Sequence, residues 1–201
     1  MLLLWWTARR TDTARKRRLT STSTITVRIA DYSKASDAKS VSELLNEYAM
    51  DPMGDGERLP EDLLNALPKE LSGVPHAFSV LAFDGAQAVG LCNCFGGFST
   101  FKCKPLVNIH DCFVKSQFRG RGVVDAMFRE VERVARERGA CKITLEVLSK
   151  NLRAQKAYAR SGFGAYELDP AAGHALFWQK KLSCKPDDRP VRRTAKSPAR
   201  R

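Results

Sequence analysis

Apolar positions recur along this chain at two periods, near 2 and near 3.6, and each change of period marks a new element. Thr26-Val-Arg-Ile29 alternates and predicts a short strand. Ser36 or Asp37 then suits a helix N-cap, and Val41, Leu44, Leu45 and Tyr48 share one helical face through Met50. Pro52, Gly54 and Gly56 break that helix. Pro60 starts a second one carrying Leu63, Leu64, Leu67 and Leu71, with Pro68 expected to kink or end it. Phe78 to Phe83, a turn at Asp84-Gly85, and Ala86 to Phe95 read as a β-hairpin, followed by a loop from Gly96-Gly97 to Pro105.

The second half alternates strand with helix. Leu106 to Val114 predicts a strand, Gln117 to Gly122 a turn, and Val124, Met127, Phe128, Val131, Val134 and Ala135 the core stripe of a helix reaching about Arg138. Gly139 suits its C-cap. Cys141 to Leu148 reads as a buried strand, and Asn151 to Ser161 as a short helix closed by Gly162. Phe163 to Glu167 and Ala175 to Leu182 read as two closing strands. There are no internal repeats. The order β-α-α-β-β-β-α-β-α-β-β predicts an α/β chain: one twisted mixed sheet with helices on both faces.

At 201 residues the chain suffices for one domain with a real core and is short for two. The formal net charge of +12 suggests nucleic acid until it is localised. Residues 1–26 and 183–201 carry +5 each, which leaves +2 for the body. The expectation is therefore one domain at 26–182 between disordered basic extensions at 1–25 and 183–201. Such extensions can hold phosphates without specificity, and residues 7–24 also suit an organellar transit peptide. No specific nucleic-acid partner is expected. No membrane partner is expected either, since no segment approaches the roughly 18 apolar residues of a span.

Six cysteines (92, 94, 103, 112, 141 and 184) form no C-x-x-C pair, and with three dispersed histidines they offer no zinc constellation. Thiols inside apolar strands act as small hydrophobes and favour a reducing, cytoplasmic compartment.

The chemistry concentrates at Gln117-Phe118-Arg119-Gly120-Arg121-Gly122-Val123, between an apolar strand and an amphipathic helix. A helix start presents unpaired N–H groups and a positive dipole end, so it suits a phosphate. Glycines at 120 and 122 admit an anion close to the backbone, and Arg119 and Arg121 add charge. Glycine spacing alone serves a tight turn equally well. A dinucleotide fingerprint fails because position 125 is aspartate, and a Walker loop fails for want of a following Lys-Ser/Thr.

The turn resembles the signature of the GNAT superfamily of N-acetyltransferases, Gln/Arg-x-x-Gly-x-Gly/Ala, met by Gln117, Gly120 and Gly122. Asn151, Ala154, Tyr158, Gly162 and Phe163 resemble the family's second motif at the right interval, and Val124 departs from a common preference for a small residue. The resemblance covers roughly residues 26–182. It implies the GNAT acyl-CoA N-acyltransferase fold, acetyl-CoA as co-substrate, and no metal. Backbone groups of Phe113 and Val114 are then expected to hold the pantetheine arm, and N–H groups of Phe118, Arg119, Gly120, Arg121, Gly122 and Val123 the pyrophosphate. The strands 106–114 and 141–147 are expected to run parallel and splay apart. Asn151 is expected to touch the pantetheine and Tyr158 to face the thiol sulfur.

Transfer to an amine needs a base for the ammonium proton, a donor for the oxyanion and an acid for the leaving thiolate. Tyr158, on a helix start beside Ala154 and Ala157, is the expected acid. Ile109 to Val114 is similar to the strand of polyamine-type acetyltransferases, where an acidic pair precedes two apolar residues and a valine; His110 stands in the place of the first acid. An imidazole titrating near 6.5 can take a proton at neutral pH. His110 is therefore the expected base, with a hydrogen-bonded strand histidine as the competing reading, and Glu146 on the neighbouring strand comes second. Asp111, expected on the opposite strand face, suits substrate binding. His76 and His174 fall in loops. The acceptor class is a primary amine of a small molecule or peptide, and a homodimer is expected from family habit. A silent acyl-CoA sensor and a nucleic-acid adaptor working through the basic extensions are the competing functions.

Overall fold

The computed structural model describes residues 24–166, 171, 173 and 175–182. The expected extensions, apart from residues 24 and 25, lie outside the described residues, as do Glu167, His174 and Cys184. The chain divides into two compact units, one ending at Ser161 and the other beginning at Gly162.

The first unit is built on a five-stranded sheet in sequential order: β1 (Ile25–Ile29), β2 (Phe78–Asp84), β3 (Gln87–Ser99), β4 (Lys104–Val114) and β5 (Ile143–Leu145). The first four strands pair antiparallel, and β5 joins β4 in parallel. Its helices are α1 (Ala35–Ala49), α2 (Glu61–Gly73), α3 (Val123–Glu137) and α4 (Leu152–Arg160). Strand alternation sends Leu81, Leu91 and Phe113 to one face, where they pack with Val41 and Leu44 of α1 and Leu71 of α2. Helix α3 covers the other face, its buried stripe running through Val123, Met127, Val131 and Val134. Val123 rather than Val124 leads that stripe. The fit is close: a Cβ on Gly90 of β3 would lie 3.0 Å from the Met127 sulfur. Among the described residues no helix is long and apolar enough to cross a membrane.

Several expectations change. Helix α1 starts at Ala35 behind Lys34 with no side-chain cap. Asp37 instead turns inward, 1% exposed, and accepts from Arg28 of β1 and from the Asp31 amide. Pro68 does not end α2. It removes the N–H that would bond the Leu64 carbonyl, and Ser42 of α1 donates to that carbonyl at 2.7 Å instead. Gly96 and Gly97 lie inside β3 rather than in a loop. A Cβ on Gly96 would come within 2.7 Å of the His76 Cβ, so this glycine marks close packing.

The expected strand 141–148 contracts to Ile143–Leu145, with Val147 and Leu148 exposed. In the second unit the described residues include no strand, so the closing strands expected at 163–167 and 175–182 are not found there. Leu176, Phe177, Trp178 and Leu182 are instead 75% to 83% exposed. Alternation marks a face worth burying, but only a ladder partner makes a strand.

Candidate active site

The register of β4 against β3 slips once. Asn93 faces Asp111 and Cys94 faces Ile109, so His110 is an extra residue, a β-bulge. A bulge cancels one step of alternation. His110 therefore lies edge-on to Phe95 (5.6 Å between centroids, 80°), and Asp111 accepts from Asn93 at 2.9 Å. Phe95 and Asn93 alternate on the α1 face, so His110 and Asp111 share that face; the expectation of opposite faces was wrong. Asn108, also on that face, donates to Thr144 at 3.1 Å and to the Glu146 carboxylate at 3.3 Å. Glu146 itself lies just past the end of β5 and is exposed.

Pairing between β4 and β5 stops at Ile109 opposite Leu145, where the bulge begins. A bulge bends and twists its strand, and beyond this one the β5-side edge of β4, from His110 to Val114, has no strand partner among the described residues, an open edge termed the slot. The pair is parallel, as expected from sequence, and its pairing ends at Ile109 and Leu145.

Below the slot, β4 runs through a 3-10 turn at Ser116–Phe118 into α3. Gly120 and Gly122 take φ of 78° and 77°, and a Cβ at either would meet nothing within 4 Å. Among the described residues no backbone acceptor takes the N–H of Gly120, Arg121 or Gly122, and the first turn of α3 adds further unpaired N–H groups. The open space and the donors suit a phosphate group.

The two arginines do different work. Arg119 donates to the Val114 carbonyl at 2.7 Å and to Asp51 at 2.6 Å, which ties the turn to the end of α1. Burial raises the Asp51 pKa, but the Arg119 and Met53 hydrogen bonds outweigh it, and the net shift is downward. Arg121 is exposed and lies 5.2 Å over the ring of the buried Phe118, with no ion pair among the described residues. Lys115 adds a second tie, to Glu47 at 2.7 Å. A cavity of about 440 Å³ opens between these elements, lined by Glu47, Asp51, Phe113, Gln117 and Arg119 among others.

Tyr158 belongs to the last turn of α4, not its start. Its ring lies 5.4 Å from Phe128 of α3, and its hydroxyl shares a hydrogen bond with Cys112. Burial foremost, then Cys112, pushes the hydroxyl well above the usual tyrosine range. It stays a proton donor through neutral pH. Cys112 also hydrogen-bonds its cross-strand partner Cys92, whose thiol that bond and burial raise. Asn151 caps α4, accepting from the Ala154 amide at 3.1 Å.

Tyr158 and Cys112 thus lie on the α3 face, His110 and Asp111 on the α1 face, and the slot runs between them. Sequence reasoning missed Cys112, Asn93 and the two ties to α1. A cysteine or asparagine in a strand carries no signal until its register partners are known. Among the described residues no group of three or more metal-ligating side chains is found.

Comparison with known proteins settles the family. The profile of the acetyltransferase (GNAT) family matches residues 40–163, which include the slot, the turn and Tyr158. The chain belongs to the GNAT acetyltransferase family. It is an acyltransferase by that membership. This GNAT chain is 30% identical over 149 residues to the thialysine N-epsilon-acetyltransferase of Bos taurus, covering 74% of this chain and 79% of that protein. Its fold is shared with AAC(6')-Iy bound to a CoA-S-monomethyl-acetylneamine bisubstrate analogue (TM-score 0.62, 20% identity, 80% and 100% of the two chains). It is also shared with a ribosomal-protein-alanine N-acetyltransferase from Brucella melitensis biovar Abortus 2308 (TM-score 0.58, 16% identity, 81% and 100%).

Proposed function

We propose that this GNAT chain transfers the acetyl group of acetyl-CoA to a primary amine of a small, free molecule. The observation that carries this reading is the slot: one edge of β4 is unpaired from His110 to Val114, with a proton donor on one face of the sheet and a carboxylate and an imidazole on the other. The unpaired N–H groups of Gly120 to Val123, in the turn that Gln117 opens, hold the pyrophosphate; those of Phe118 and Arg119, expected to join them, are taken by the Lys115 and Ser116 carbonyls. The backbone of Phe113 and Val114 and the Asn151 amide align the pantetheine arm, which brings the thioester into the slot. The likeness to a thialysine acetyltransferase favours a small amine over a protein terminus.

His110 takes the ammonium proton from the α1 face, and Asp111 binds the ammonium beside it. Glu146, held by Asn108, is the alternative base. Tyr158 donates toward the departing sulfur. Burial that weakens Tyr158 as an acid weakens a thiol in the same pocket too, so the pair stays matched. The donated hydrogen bond stabilises charge that develops only in the transition state.

A thiol-release assay with acetyl-CoA and thialysine, a diamine, an aminoglycoside and an alanyl peptide tests the proposal. Release that depends on the small amines is expected. CoA binding with no release on any amine would replace catalysis with acyl-CoA sensing.

A further inference from the structure

A polar row crosses the middle of the sheet on its α1 face. Ser79 of β2 is the register partner of Asn93 of β3, and Asn93 is the partner of Asp111 of β4. Tyr32, between β1 and α1, extends the row by a 2.8 Å bond to the Ser79 hydroxyl. Ser79 donates to Asn93 Oδ1 at 2.5 Å, and Asn93 Nδ2 donates to Asp111 Oδ2 at 2.9 Å. Since the one Ser79 hydroxyl hydrogen goes to Asn93, Tyr32 must donate to Ser79. Burial raises the Tyr32 pKa and keeps it a donor. Every hydrogen in the row therefore points toward Asp111.

This row is a poor way to stabilise a sheet. Ser79 and Asn93 are 0% and 3% exposed, and apolar residues of similar shape would hold such positions at least as well. What the row does supply is a fixed end. Asp111 is half-buried beside the bulge, with one oxygen pinned and its Oδ1 without a donor among the described residues.

We infer that Asn93, anchored by Ser79 and Tyr32, is a positioning residue that holds Asp111 as an acceptor-only carboxylate aimed at the ammonium group of the acceptor. The inference rests on the proposed amine acetylation. It assigns the row to acceptor recognition and leaves acetyl-CoA binding independent of it.

The test uses thialysine as the acceptor probe with the full chain. Asn93→Leu should raise KM for thialysine about tenfold, the scale of one hydrogen bond to a charged group, with KM for acetyl-CoA unchanged. Asn93→Leu combined with Asp111→Ala should be no worse than Asp111→Ala alone, because both act through one carboxylate. Tyr32→Phe, which leaves the sheet intact, should raise the same KM about twofold to threefold, and it decides the matter if Asn93→Leu fails to fold. An unchanged thialysine KM in these variants, or additive losses in the double variant, overturns the inference. So does a parallel rise in KM for acetyl-CoA, which is what a merely structural row would give. If the wild-type protein turns over no amine, the catalytic reading falls separately. Thialysine should then still raise the melting temperature in the presence of CoA, and only with Asn93 intact; no rise in wild type overturns both.

Discussion

At the scale of single residues, the turn and the tyrosine give the sharpest expectations. Gly120→Glu puts a carboxylate into the open space before α3 and should lower CoA affinity more than tenfold by calorimetry. The positive φ of 78° adds about 1–2 kcal/mol of strain for any side chain, so Gly120→Ala is the control: similar stability loss, most of the affinity kept. Tyr158→Phe removes one hydroxyl from between Cys112 and the slot. CoA affinity should survive while kcat drops about 10²-fold, the scale of one acid–base group. Equal losses in both would make Tyr158 a packing residue. Gln117, Gly120, Gly122 and Tyr158 were legible because their spacing along the chain is the signal. The shared face of His110 and Asp111 was not, because a bulge is defined by the opposite strand. Read alone, Ile109 to Val114 sets two polar residues side by side ahead of three apolar ones, which does not say which residue is the surplus one.

At the scale of elements, the sequence located each helix within a few residues and the first hairpin closely. It failed where an element depends on a neighbour. Pro68 looked like a terminus because the hydroxyl that replaces its missing donor sits 26 positions earlier, on another helix. Ser42→Ala should therefore destabilise the protein by about 1–2 kcal/mol, a hydrogen bond lost with a half-buried carbonyl left behind, read from urea unfolding. Restoring the donor with Pro68→Ala in the same background should recover most of it; no recovery would mean that Ser42 acts by packing. The strand 141–148 was overdrawn for a related reason. Apolar residues recur past Leu145, at Val147 and Leu148, but pairing with β4 stops at Leu145.

At the scale of the whole molecule, the proposed acid and base lie on opposite faces of one sheet. Helix α1 is fastened near its start to β1, through Arg28 and Asp37, and near its end to the segment after β4, through Lys115 and Glu47 and through Arg119 and Asp51. One fastening is sensitive to acid. Asp37 is held down to about 2, first by the Arg28 hydrogen bonds and against the effect of burial. Its folded value lies below its unfolded one, so its contribution is complete above about pH 4 and is lost as pH falls through about 2. The melting temperature should drop across that window, and Asp37→Asn should lower it at neutral pH while flattening the acid limb. The bulge carries a different kind of consequence, one about length rather than identity. His110 is the surplus residue in an otherwise regular ladder, so deleting it would join Ile109 directly to Asp111 and leave every other β3–β4 pair as it stands. The straightened strand could go on pairing with β5. A chain one residue shorter at this point should therefore melt no lower than the original and yet bind no CoA, whereas deleting Cys112 should shift the register downstream and unfold the protein. For this sheet, the irregular residue is the one expected to be dispensable for folding and, on the proposed mechanism, indispensable for work.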